Sequence, residues 1–115
     1  MAALTDLTWQ QLADQLPANA VAITNGKVII DASLIVDKTL DSLDSTGVVK
    51  LFSVLFTAAN KAQIAANEGQ ENGEKLTAFS PATIGTAADG FMTLTRPFVC
   101  RAELTSAVNI IGTNG

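Results

Sequence analysis

The sequence predicts an α+β fold: an antiparallel sheet of about four to six strands packed on one long apolar helix, with short accessory helices. Three observations predict it. Two β-rich runs flank the pair Asn25-Gly26, the strongest short-range hairpin signal. From 48 to 68 the polar residues fall mostly at steps of three or four, the period of a helix. Beyond 76 the composition turns to Thr, Ala, Gly, Val and Phe, and Met92, Leu94, Phe98, Cys100, Ala102 and Leu104 share one parity, as one face of a strand does. A length of 115 residues, 48% apolar and 16% charged, suits a single folded domain over 1–115.

The first element carries a start signal. Thr8 followed by Gln11 is a capping-box pattern, with Leu7 and Leu12 at the staple positions. Trp9, Leu12, Ala13 and Leu16 then form one stripe, and Pro17 closes a helix over 9–16. Trp9 reads most simply as a core anchor, with a partner-facing aromatic as the sharper alternative. Strands over 20–24 and 27–31 make the hairpin, because Asn25 and Gly26 tolerate the positive φ of a type I′ turn. Leu34-Ile35-Val36 could prolong a strand, but Val36, Leu40 and Leu43 follow helical spacing. A short helix over 37–44 is therefore expected.

Ser45-Thr46-Gly47 introduces the longest element, whose polar positions Lys50, Ser53, Thr57, Asn60, Lys61, Gln63, Asn67 and Glu68 make a narrow wet stripe. Gly69 stands just past its C-terminus. A polar, glycine-containing loop follows over 68–75. Strands are expected at 76–79 and 83–87, broken by Pro81, then a turn at 88–90 into a strand over 91–103, and a last one at 108–112.

Composition excludes several function classes. The chain has no histidine and no tyrosine, which removes the usual neutral-pH base, the nucleophile–imidazole pairs and imidazole metal ligands. Catalysis would have to rest on carboxylates, Lys, Ser or Thr, so an enzyme is disfavoured and no cofactor is expected. Cys100, the single cysteine, can form neither an internal disulfide nor a structural zinc site and reads as a small buried hydrophobe. Net charge −4, with seven basic residues scattered singly, argues against nucleic acid as a partner. The N-terminus lacks the basic and apolar regions of a secretory signal, and the apolar run at 48–59 is too short to span a bilayer. A cytoplasmic protein without a membrane partner is the expectation.

Four constellations remain. Asp37, Asp41 and Asp44 would share one helical face, either a solvated acidic surface or a weak site for a hard cation. Asp31 with Asp37 would be the carboxylate pair of any hydrolase. Arg96 has the parity of its apolar neighbours, and Pro97 beside it implies an edge strand or a bulge. A bulge would aim Arg96 at solvent or at Asp89 or Glu103, whereas a guanidinium held against an apolar wall could bind a small anionic ligand. The run from Gly85 to Gly90 has no lysine and matches no phosphate loop, and Ser80 and Ser106 have no visible base. Finally, Leu51, Phe52, Leu55 and Phe56 give the long helix a broad apolar surface, either buried wholly within its own fold or forming on one flank a homo-oligomer interface. The first function expected is thus a non-catalytic protein-interaction or assembly module that forms a homo-oligomer, with another protein as the alternative partner. The alternative is an anionic-ligand binder or weak carboxylate hydrolase using Arg96.

Overall fold

The structure, a computed structural model, describes residues 4–85 and 88–100. Helix α1 (Trp9–Ala13) begins at its capping box. The Gln11 N–H donates to the Thr8 hydroxyl at 3.0 Å, and the Thr8 N–H donates to the Gln11 side-chain oxygen at 2.8 Å. Regular helix ends sooner than the predicted residue 16. Gln15 and Leu16 make tighter bonds three residues back, to Leu12 and Ala13, before Pro17 stops the chain. Trp9 is 59% exposed rather than a core anchor. It lies along an open groove shared with Val21, Ile23 and Val28.

The first hairpin forms as expected. Strand β1 (Val21–Thr24) pairs antiparallel with β2 (Lys27–Ile30), in the register Val21–Ile30 to Thr24–Lys27. Asn25 and Gly26 have φ of 51° and 76°, the two left-handed positions of a type I′ turn.

Helix α2 (Ala32–Val36) replaces the helix predicted over 37–44. Asp31 outcompetes the later spacing as a start signal: its carboxylate accepts the Leu34 N–H at 3.3 Å and the Ser33 hydroxyl at 2.6 Å. Asp37, at φ 55°, ends the helix in a left-handed turn, so Asp37, Asp41 and Asp44 do not lie on one helical face. Ile35 and Val36 are buried, and α2 packs on the long helix.

That helix, α3 (Val48–Asn67), forms as the periodicity predicts. Gly47 at its N-cap has φ 138°, and Gly69, just beyond its end, has φ 80°. A Cβ at Gly47 would meet Val36 at an ordinary 3.8 Å, so backbone conformation, not space, calls for glycine there. Among the described residues, the apolar core is Ala20, Ile35, Val36, Ala58, Ala59, Ala62 and Leu76. Both α1 and α2 pack on α3. No helix of the described residues is long and apolar enough to cross a membrane.

The expected sheet of four to six strands does not form among the described residues. There are two separate two-stranded sheets, β1–β2 and β3 (Thr83–Ile84) with β4 (Leu94–Thr95). Fold class is nonetheless α+β around one long helix. The second hairpin continues as isolated bridges, Phe79 to Phe98 and Ala88 to Phe91, closed by a turn with Asp89 at φ 53° and Gly90 at φ 81°. From 79 to 83 the chain takes four steps while 98 to 95 takes three. This one-residue bulge, on the strand carrying Pro81, shortens the ladder. The predicted strand at 76–79 is reduced to the Phe79–Phe98 bridge: the chain bends at Ala78 and is tied to α3 by side chains at Leu76 and Phe79. The expected ends at 101–103 and 108–112 lie outside the described residues. Cys100 is exposed, not buried, as are Met92, Leu94 and Phe98 on the same face.

Candidate interaction site

A row of carboxamides on α3 organises the C-terminal half of the described chain. Asn60, Gln63 and Asn67 stand three and four residues apart, so they project from one face. Gln63 grips the main chain of Phe79 at both groups: its amide donates to the Phe79 carbonyl at 2.7 Å, and its oxygen accepts the Phe79 N–H at 2.8 Å. Asn67 does the same at Leu76, donating at 2.9 Å and accepting at 2.8 Å. The Asn60 amide adds a second donor to the Phe79 carbonyl at 2.9 Å. A carboxamide carries a donor and an acceptor side by side, as a peptide unit does. The α3 face therefore grips the following chain at two points, Leu76 and Phe79, on either side of a bend at Ala78. Gln63 is only 9% exposed, so its bonds are made where water cannot compete.

Aromatic rings complete this junction. Phe79 and Phe98 stack at 5.2 Å between centroids, and Phe56 of α3 lies 6.2 Å from the first and 5.8 Å from the second. These separations suit favourable ring pairing. Phe56 is thus engaged by its own chain, while Phe52, 6.4 Å from it, remains half exposed.

The other strand of the hairpin is treated differently. Val99 N–H donates to Ala78, Ser80 N–H to Pro97 and Gly85 N–H to Thr93. Odd-numbered residues from 91 to 99 therefore turn their main-chain groups inward, and Met92, Leu94, Arg96 and Phe98 turn theirs outward. Among the described residues nothing pairs with that outer edge. Exposed apolar side chains stand on both faces, Phe91 (77% exposed) and Val99 on one and Met92, Leu94 and Phe98 on the other, interrupted by Thr93 and Thr95 on the first and Arg96 on the second. Proline at 97 falls on an inward position, so its missing N–H leaves the outer edge intact.

The remaining candidates are dispersed. Arg96 is half-buried on the even face and Asp89 sits at the hairpin tip, and no ion pair joins them. Glu103 lies outside the described residues. Asp31, spent on capping α2, is drawn below the usual carboxylate range by the Ser33 hydroxyl first and the Leu34 N–H second. Asp37 lies at the opposite end of the same helix. Among the described residues no three acidic or thiol groups gather as metal ligands, Asp37, Asp41 and Asp44 included. Leu51 and Leu55 are half-buried, facing the packed side of α3, and Leu51 also lines an apolar cleft of about 440 Å³ with Val36, Leu40 and Val48.

Sequence reasoning missed the carboxamide row. Its signal was present, as three neutral amides at helical spacing within an otherwise apolar helix. Solvent alone would be met as well by charge, whereas amides suit main-chain recognition. The chain matches no protein-family model, no curated protein and no solved structure.

Proposed function

We propose that the chain is a non-catalytic assembly module that works as a homo-oligomer. One observation carries the reading. The core among the described residues is small, with four alanines among its seven apolar members, while Trp9, Ile23, Phe52, Ile84, Phe91 and Leu94 stay exposed. Burying a large apolar side chain contributes about 1.5–3 kcal/mol, several times what an alanine can. The residues best able to stabilise this fold are thus those it leaves in water. Coverage by further copies puts them to use. A sequence without histidine suits a structural role, because the usual neutral-pH acid/base group is missing. Light scattering coupled to size exclusion, over a wide concentration range, tests this: a mass above one chain is expected, and a strict monomer at the highest concentration refutes it.

A second reading is kept because Arg96 is half-buried with no ion-pair partner among the described residues. A guanidinium so placed suits a small anion. Inorganic phosphate should then protect the wild type but not Arg96→Ala against thermal unfolding, and equal melting shifts would remove the idea.

A further inference from the structure

We propose that Asn72 is a modification site: its side chain closes onto the nitrogen of Gly73, sheds ammonia and is hydrolysed to aspartate and isoaspartate, which releases the N-terminal segment from this loop. The substrate is the chain itself, and the co-reactant is water.

The Gly73 main-chain nitrogen gives up its proton to solvent base and attacks the carbonyl carbon of the Asn72 side chain. A carbon–nitrogen bond forms, the bond to the side-chain amide nitrogen breaks, and that nitrogen takes up a proton and leaves as ammonia. Water then opens the cyclic imide at either carbonyl. One opening gives aspartate; the other gives isoaspartate, in which the main chain runs through the side-chain carbon. Glycine suits the attacking position, because no Cβ shields its nitrogen. The asparagine must also turn its ψ away from helical and left-handed values, so whatever holds its backbone sets the rate.

Three Asn-Gly pairs occur in the sequence, at 25–26, 72–73 and 114–115, and the last lies outside the described residues. The structure separates the other two. Asn25 is held at φ 51° by its turn, and opening it disturbs a hairpin paired from Thr24–Lys27 to Val21–Ile30, with the Asp31 N–H donating to Ala20 beyond that. Asn72 begins a single 3₁₀ turn, Asn72–Glu74, that has no side-chain cap and no buried residue. Both Asn72 and Gly73 are exposed, and the Asn72 carboxamide makes no hydrogen bond among the described residues. The reactive conformer is therefore reached by local opening alone. Asn60 and Asn67, in contrast, spend their amides on the main chain of Phe79 and Leu76, and they precede Lys61 and Glu68.

The consequence follows from what this turn carries. The Glu74 N–H donates to the Glu71 carbonyl at 2.8 Å, and the Glu74 carbonyl accepts the Leu4 N–H at 2.8 Å. Isoaspartate at 72 lengthens the main chain inside that turn. Either product adds a negative charge between Glu71 and Glu74, in a chain already at −4, and like charges so close repel. The turn and the Leu4 bond are lost together.

The test is ageing of the full-length protein at mildly alkaline pH, followed by a tryptic map. The peptide 62–75, bounded by Lys61 and Lys75, should gain the mass of an amide-to-acid exchange at Asn72. Conversion there should run at least about tenfold faster than at Asn25, since one site opens locally and the other only with its hairpin. Gly73→Ala is the control. A Cβ at Gly73 meets nothing within 4 Å, and its φ is not left-handed, so the fold is kept while the nitrogen is shielded. That variant should convert several-fold more slowly. Hydrogen exchange should find the Leu4 amide protected in the unconverted protein and open in the converted one. Asn72 converting no faster than Asn25, or equal rates in wild type and Gly73→Ala, overturns the modification site. A Leu4 amide equally protected before and after conversion overturns the release.

Discussion

Replacing Gln63 by alanine should detach the C-terminal hairpin from α3. Gln63 makes two hydrogen bonds, at 2.7 and 2.8 Å, to the main chain of Phe79, and it is 9% exposed. Each contributes about 1 kcal/mol net, and a buried donor left without a partner costs a further 1–3 kcal/mol or so. Phe79 keeps one donor to its carbonyl, from Asn60, so only its N–H is stranded. The expected loss is about 3–5 kcal/mol for Gln63→Ala. Asn67→Ala loses two bonds at a less buried position, about 2–3 kcal/mol, and Asn60→Ala loses one shared bond, about 1 kcal/mol or less. Urea denaturation gives the stabilities, and limited proteolysis should cut first between 76 and 100 in the Gln63 variant. The order Gln63, then Asn67, then Asn60 is the claim. A Gln63→Ala loss under about 1 kcal/mol, with the hairpin still protected, would refute the two-point grip.

Three further outcomes follow from the same geometry. Gln63→Glu can reproduce both bonds only when its carboxyl is protonated, so its folded-state pKa is raised. The variant should be most stable below the ordinary glutamate range and lose stability as the pH rises through the raised value, and a flat urea midpoint from pH 4 to 8, roughly, would count against it. Asp31 has a depressed folded-state pKa. Its contribution should therefore be complete above the ordinary 3.8 and drain away as the pH falls below it, and a carboxyl titration by NMR with a midpoint at or above 3.8 contradicts the cap. Thr8→Ala should lower stability by about 0.5–2 kcal/mol, read from thermal melts, since it opens the capping box of α1; no change there would mean that α1 is held by packing alone.

What the sequence made legible was local. The capping box at Thr8 and Gln11, the I′ turn at Asn25-Gly26 and the stop at Gly69 each act through a few adjacent residues, so pattern suffices to find them. The interval 31–44 misled because two local signals competed. The spacing of Val36, Leu40 and Leu43 suggested a helix, but Asp31 had already supplied the N-terminal N–H groups of an earlier one with an acceptor. Sheet width was not legible at all. It depends on whether strands distant in the chain find each other, and here side chains of α3 hold the chain at Leu76 and Phe79 instead. The candidate site was half visible. Arg96 and Pro97 marked an unusual strand, yet parity alone could not say that Met92, Leu94 and Phe98 on the even-numbered face are exposed. The stripe from Lys50 to Glu68 looked uniformly wet because composition does not separate carboxamides facing main chain from lysines facing water.

The placement of apolar surface then acquires a physical logic. Sequence periodicity assigned the surplus to α3, but α1 and α2 pack on that helix and the aromatic cluster engages Phe56. Exposed apolar residues remain near its first turns, at Val48, Val49 and Phe52, and lie along both hairpins. Small residues at Ala58, Ala59 and Ala62 let neighbouring chain approach the middle of α3 closely, while Gln63 fixes the chain at Phe79. Among the described residues the second hairpin is two strands wide, and the amides of α3 hold it at Phe79, so the position of that hairpin is set by side chains of the helix and not by a neighbouring strand.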